Sequence, residues 1–240
     1  MQTILKWTLI SIAIPLIVKI GYNPEPSTRY HAPLYPKTVK PSWAWKLATT
    51  PEDAHNFING LEPYDTPHAV GSISATTQGF YIFYRTDIPG VSDWGWKLAP
   101  TPEDAHAFLN GVGDYNSSPK DQAEAAYRDS GIYIFYRGAS PKAKWGWKRA
   151  TEIDDMHRFI NGQKPYKTPK SATLTAWNAH DIIAFYRDDK VGSPKWGWKL
   201  ATTPDDALNF LNGTGAYSVP VKQAQVFNTS DSEFYIFYRK

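Results

Sequence analysis

Two groups of side chains recur in this sequence at positions where they could bind something. The first is the Trp and Lys of a WxWK motif, at Trp43/Lys46, Trp94/Lys97, Trp145/Lys148 and Trp196/Lys199. The second is the Arg of a closing Tyr-Arg, at Arg85, Arg137, Arg187 and Arg239. Aromatic faces beside ammonium and guanidinium groups suit sugars, phosphates and acidic peptides. The same residues also serve folding, with Trp and Tyr filling a core and the cations lying along rings at strand ends. These Trp, Lys and Arg residues form the candidate binding set.

Other recurring groups argue against catalysis. His55, His106 and His157 share one helix position, and Leu208 holds it in the fourth copy. A position that accepts both His and Leu fits the border of a packed face, and three ligands on three separate helices seldom converge on a metal. The acid pairs Glu52/Asp53, Glu103/Asp104, Asp154/Asp155 and Asp205/Asp206 fall at helix starts, where the helix dipole favours them. With no cysteine there is no thiolate nucleophile, disulfide or zinc knuckle. HExxH, GxSxG, Walker A and GxGxxG motifs are all absent from the sequence. The expectation is a protein that is not an enzyme and holds no metal or cofactor. A catalytic exception would be sought in the third copy, whose Arg149, Met156, Trp177 and His180 depart from the others.

The elements that position these residues are themselves repeated. WxWK recurs at a constant interval of 51 from Trp43 to Trp196. Asn-Gly follows each time, at Asn59, Asn110, Asn161 and Asn212, before Tyr-Arg closes the copy. Three landmarks in one order four times establish a tandem repeat. A second order overlies it. Repeats one and three share NGxxPYxTP, whereas two and four share NGxGxY and a later Gln-Ala pair, at Gln122/Ala123 and Gln223/Ala224. The pattern is A–B–A–B.

Within a repeat, Trp94, Trp96 and Leu98 alternate with Gly95 and Lys97 and predict a strand with the Lys on the other face. Thr101-Pro-Glu-Asp then predicts a capped helix start, with the Asp able to return a hydrogen bond. Ala105, Phe108 and Leu109 mark its apolar face, and Asn110-Gly111 its stop. In the third repeat Ile153 replaces the proline and Thr151 lies further upstream, so that start is weaker. A loop, a weaker strand such as 222–227, a polar turn and FYIFYR complete the order β-α-β-β. FYIFYR is apolar on both faces and reads as a central, covered strand. The fold expected is α+β: four β-α-β-β repeats forming two pseudo-symmetric blocks, 43–137 and 138–240, each of about 100 residues, a domain-sized length. A four-bladed β-propeller is the alternative.

Ahead of the repeats, residues 1–21 are apolar and predict a membrane anchor helix. Lys6 and Lys19 can snorkel from it, and Trp7 and Tyr22 suit the two interfaces. The proline-rich stretch 22–42 reads as a semi-rigid linker. Basic residues after the anchor favour a cytoplasmic domain, but a short leader and apolar core is how exported chains begin, and long domains translocate despite their charge. An extracytoplasmic globular part, periplasmic or lumenal, is expected. A net charge of +3 from 26 basic and 23 acidic residues gives no reason to expect nucleic acid. With 10 Trp, 15 Tyr and 11 Phe, the surface suits protein partners. Two functions follow as expectations. One is an accessory or scaffold subunit of a larger membrane complex, for instance respiratory or photosynthetic. The other is a multivalent glycan-binding protein using the Trp, Lys and Arg sites.

Overall fold

The computed structural model describes residues 41–240 apart from 129 and 178–180. The anchor 1–21, the linker up to residue 40, the anchor residues Lys6, Trp7, Lys19 and Tyr22, and His180 lie outside the described residues. The described part is α+β and dominated by antiparallel sheet, with twelve strands in four three-stranded sheets and four helices.

Repeat one runs β1 (Trp43–Ala48), α1 (Pro51–Asn59), β2 (His68–Thr76) and β3 (Gly79–Pro89). Repeat two runs β4 (Trp94–Ala99), α2 (Pro102–Asn110), β5 (Lys120–Arg128) and β6 (Gly131–Ala139). Repeat three follows with β7 (Trp145–Ala150), α3 (Ile153–Asn161), β8 (Lys170–Trp177) and β9 (Asp181–Val191). Repeat four ends the chain with β10 (Gly197–Ala201), α4 (Pro204–Asn212), β11 (Gln223–Ser230) and β12 (Glu233–Arg239). In every sheet the Tyr-Arg strand is central, the WxWK strand lies on one side and the variable strand on the other. The double apolar face of FYIFYR thus has the covered position its composition requires.

Local chemistry sets the helix ends. Thr50, Thr101 and Thr203 accept from the backbone N–H of Asp53, Asp104 and Asp206 at 3.1, 3.1 and 3.0 Å. Glu152, at the same place in repeat three, makes no side-chain cap. The Asp at the third helical position does not reach back to the cap as a capping box would. It accepts instead from a loop tyrosine in every repeat, from Tyr64 Oη to Asp53 at 2.6 Å through to Tyr217 Oη to Asp206 at 3.0 Å. Each helix stops at a left-handed glycine, with φ between 63° and 65° at Gly60, Gly111, Gly162 and Gly213.

The asparagine before that glycine does more than end a helix. Asn59 Oδ1 accepts from the backbone N–H of Trp94 at 2.9 Å, and its Nδ2 donates to the Trp94 carbonyl at 3.0 Å. Asn110 holds Trp145 and Asn161 holds Trp196 in the same way. Asn212 reaches back across 169 positions to Trp43, at 2.7 and 2.9 Å, and joins the last repeat to the first. The recurring histidines assist. Nε2 of His55, His106 and His157 lies 2.8, 2.7 and 2.6 Å from the same Trp carbonyls. A carbonyl only accepts, so Nε2 carries the proton.

Packing follows the same cycle. Four apolar clusters are present, each shared between one repeat and the next, and the last joins Phe210, Leu211 and Ile236 to Trp43, Tyr81 and Phe83. The inner strands touch in the order β2, β5, β8, β11 and back to β2. Phe83, Phe135, Phe185 and Phe237 occupy one register position in the four sheets and are fully buried. Burial of each such side chain contributes about 1.5–3 kcal/mol. The alternation of the repeats persists in the loops after the helices. Glu62–Pro63 and Lys164–Pro165 are cis in repeats one and three, whereas repeats two and four turn on Gly113 and Gly215 at φ 65° and 64°.

Asn161→Ala will strand the backbone N–H of Trp196, leave its carbonyl to His157 Nε2 alone, and lower stability by about 1–3 kcal/mol, read as a fall in the denaturant midpoint. His157→Leu, which installs the residue found at position 208, will cost under about 1 kcal/mol because Asn161 still holds the carbonyl. Equal losses in the two variants would refute the clamp. Thr101→Ala will cost about 1 kcal/mol, and Thr151→Ala nothing measurable.

Candidate functional site

The leading Trp and closing Arg of each repeat are neighbours across two strands. Trp43 faces Arg85, Trp94 faces Arg137 and Trp145 faces Arg187 in register. The guanidinium lies over the indole in all four repeats, at 5.5, 5.5, 5.6 and 5.9 Å from the ring centre. The inner strand completes each rung with Ala69, Gln122, Ser171 or Gln223 opposite the Arg.

These rungs converge on two adjoining cavities. One, of about 470 Å³, is lined by Trp43, Trp196, Arg85, Arg239 and Lys222 among others. The second, of about 410 Å³, is lined by Trp94, Trp145, Arg187, Asp121 and Glu124 among others. The two share Val70, Ser171, Ala172, Gln223 and Gln225 as walls. All four leading Trp and three of the four closing Arg therefore line one composite cavity, made by the starts of the inner strands. Arg137 is not in its lining; it bonds Gln122 at 2.5 Å and Asp93 at 3.3 Å.

The repeats contribute unequally. In repeats one and three the indole N–H is spent on the preceding repeat, Trp43 to the Val221 carbonyl and Trp145 to that of Lys120, both at 2.7 Å. Their arginines are spent too. Arg85 grips Asp87 with two bonds and donates to the Lys222 carbonyl at 2.9 Å. Arg187 grips Asp189 at 2.7 Å twice and reaches the Asp121 carbonyl and carboxylate at 2.5 and 2.9 Å. In repeats two and four the indole N–H of Trp94 and Trp196 donates to no described residue, and no unpaired side-chain donor is buried. Both rings line the cavity walls.

One rung further in, the four inner strands present Ser72, Glu124, Thr173 and Gln225 at one register position. Thr173 Oγ1 donates to Glu124 at 3.0 Å, and Gln225 Nε2 donates to Glu124 at 3.4 Å and to the Gly71 carbonyl at 3.2 Å. Burial pushes the Glu124 carboxyl up to about 8, against the smaller opposing pull of the Thr173 and Gln225 bonds.

The other candidates go elsewhere. Lys46, Lys97, Lys148 and Lys199 stand on the far face of the outer strand, over the rings of Tyr64, Tyr115, Tyr166 and Tyr217 at 5.1–5.5 Å. These are the tyrosines that bind the helix Asp, so each Lys joins a Lys–Tyr–Asp group that ties loop to helix. Burial and the bond to Asp104 push Tyr115 up to about 12. The second Trp of each motif packs on the preceding repeat; Trp45 donates to Asp205 at 3.0 Å and Trp198 to Asp154 at 3.2 Å. Among the described residues no group of three potential ligands is placed to hold a metal.

Sequence reasoning selected the Trp–Arg rungs but missed Glu124, Gln225, Lys170, Lys190 and Lys222. A signal existed in the Gln-Ala pair, which is followed by Glu124 in repeat two and Gln225 in repeat four.

Arg85 and a backbone N–H hold the Asp87 carboxyl down at about 2. A depressed carboxyl adds stability above its ordinary range and loses it as pH falls through its folded value. Stability will therefore drop between about pH 4 and the Asp87 value of about 2. Asp87→Asn will be less stable at neutral pH and will show a shallower acid limb in denaturant titrations. An unchanged limb would remove Asp87 from the account.

No protein-family model, curated protein or solved structure matches the chain.

Proposed function

We propose that the repeats form a non-catalytic binding ring, held at a membrane by residues 1–21 with its globular part outside the cytoplasm, and that its ligand is a saccharide-type molecule. In this proposal the four sheets act as blades of a four-bladed, propeller-like body and the ligand enters between them. The observation that carries it is the convergence of four leading Trp and three closing Arg on one composite cavity. Its two parts each fall within the about 300–1,000 Å³ of small-molecule sites. Indole N–H donors, Gln223, Ser171 and arginine beside aromatic rings offer the mixed polar and planar surface that a ring of hydroxyls needs.

The alternative is an accessory or scaffold subunit of a membrane complex. It is favoured by the apolar side chains Ile88 and Val191 on the long central-strand extensions of repeats one and three, and Val91 just beyond β3, with Val191 76% exposed. Ile88 and Val191 edge the larger cavity.

The test is a glycan array followed by calorimetry on the full chain in detergent. Saccharide binding that weakens at least ten-fold in Gln223→Ala, with the thermal midpoint unchanged, is the expected result. A folded protein that binds no saccharide, and leaves the membrane with stoichiometric protein subunits, would overturn the proposal in favour of the scaffold role.

A further inference from the structure

The A–B–A–B order relates repeat two to repeat four. Gln122 and Gln223 face Arg137 and Arg239 in the respective sheets, so Asp121 corresponds to Lys222, and Glu124 to Gln225. Backbone roles at these places are the same. Arg187 takes the Asp121 carbonyl and Arg85 takes the Lys222 carbonyl, at 2.5 and 2.9 Å. The main chain serves alike at both places, yet the side chains differ in charge, and the Asp121 carboxylate adds a bond to Arg187 at 2.9 Å.

Each difference runs the same way. The smaller cavity, beside repeat two, is lined by both acids, Asp121 and Glu124. The larger, beside repeat four, has Arg85, Lys170, Lys222 and Arg239 in its wall and no acid. Asp87 neutralises Arg85, and Asp188 neutralises Lys170 at 2.7 Å. Arg239 lies over the Trp196 ring and bonds the neutral Gln223, with no carboxylate beside it, and the Lys222 ammonium bonds no described residue. On the opposite side Asp121 is taken by Arg187 and Lys190, whereas Glu124 has hydroxyl and amide partners and no cation. The Lys, Arg and His side chains of β2, β6, β8 and β9 are His68, Arg137, Lys170, Arg187 and Lys190, and none of them bonds Glu124. The axial position is met by Ser72, Thr173 and Gln225 in the other repeats, so the fold does not require a carboxyl there.

We infer that the cavity is built for a dipolar ligand, an amino-saccharide bearing an acid, with its carboxylate or sulfate between Lys222 and Arg239 and its amine against Glu124. The inference rests on the saccharide proposal and names the class within it. An uncompensated cation pair and an uncompensated carboxyl in adjoining, partly enclosed cavities each gain most from the opposite charge, because pairing is stronger where water is displaced.

The test exchanges each residue for the one its counterpart already carries, so that folding is preserved. Calorimetry on the full chain in detergent compares a glucosamine–uronic acid disaccharide with its N-acetylated form and with a neutral disaccharide of the same size. The free amino acid-sugar is expected to bind at least ten-fold more tightly than either. Glu124→Gln will abolish the preference over the N-acetylated form and keep the preference for the acid; Lys222→Asp will do the reverse. Carboxylate and sulfate are separated by repeating the series with a sulfated glucosamine. If wild type binds all three disaccharides equally, dipolar recognition is overturned and the saccharide proposal stands. If it binds none, both fall. Binding that discriminates but is untouched by either substitution overturns the placement of the two charges.

Discussion

The structure depends on one side chain used four times: the asparagine that ends each helix and clasps the backbone of the next repeat's leading tryptophan. An amide offers a donor and an acceptor in the spacing of a peptide group, so it pairs with a strand edge as another strand would. Here it satisfies the N–H and C=O of a residue at the start of an outer strand, where the sheet has no further partner. Asn59 and Asn161 are buried in doing so, and an unpaired main-chain N–H would remain if either were lost, the carbonyl being left to the neighbouring histidine. The fourth clasp, from Asn212 to Trp43, turns a row of repeats into a cycle. With it every repeat has a neighbour on each side, and no apolar sheet face is left at an end of the row to be capped.

That closure also makes the cavity. A leading Trp is fixed by its backbone to the preceding repeat and by its own strand to the Arg across from it. Four such rungs, turned inward by the cycle, bring indoles and guanidiniums from residues as distant as Trp43 and Arg239 to one place. Repeats one and three spend these groups on inter-repeat bonds, while two and four leave indole N–H and guanidinium groups with fewer protein partners. Alternation in the sequence thus becomes a difference in bonding, since the cavity-lining Trp and Arg of repeats one and three also brace the cycle.

Much of this was legible, for reasons that depend on distance along the chain. Thr50, Thr101 and Thr203 cap as their spacing predicts, because a cap involves residues three apart. Repeat three lacks the cap, as Glu152 and Ile153 foretell. The central position of FYIFYR follows from its two apolar faces. What could not be read was partnership between repeats. Asn-Gly announces a helix stop from local residues alone, and nothing near Asn59 points to Trp94. The recurring lysines show the reverse case. Strand alternation puts Lys46 opposite the tryptophans, but its companions Tyr64 and Asp53 belong to a loop and a helix whose meeting is a tertiary event. Recurrence made the lysines look like a binding set when they fasten the loops.

Recurrence and its failure carry different information. A residue kept in all four repeats, such as the clasping asparagine or the buried Phe83, Phe135, Phe185 and Phe237, does something every repeat must do, and packing accounts for it. The fold's requirement is satisfied wherever equivalent positions hold Ser72, Thr173 and Gln225 interchangeably, so a carboxyl at Glu124 answers to something other than the fold. An ionised carboxyl lacking a counter-charge in a partly enclosed space is costly, and burial accordingly favours its protonated form. Asp121 and Lys222 reverse charge as well: Arg187 and Arg85 take the two carbonyls alike, and Asp121 adds a carboxylate bond to Arg187 that Lys222 does not make. Both departures lie on the cavity wall and both separate charge along the same direction, from repeat two toward repeat four. Equivalent places in repeats two and four thus carry unlike charge on the cavity wall, which is the asymmetry that the proposed dipolar ligand would match.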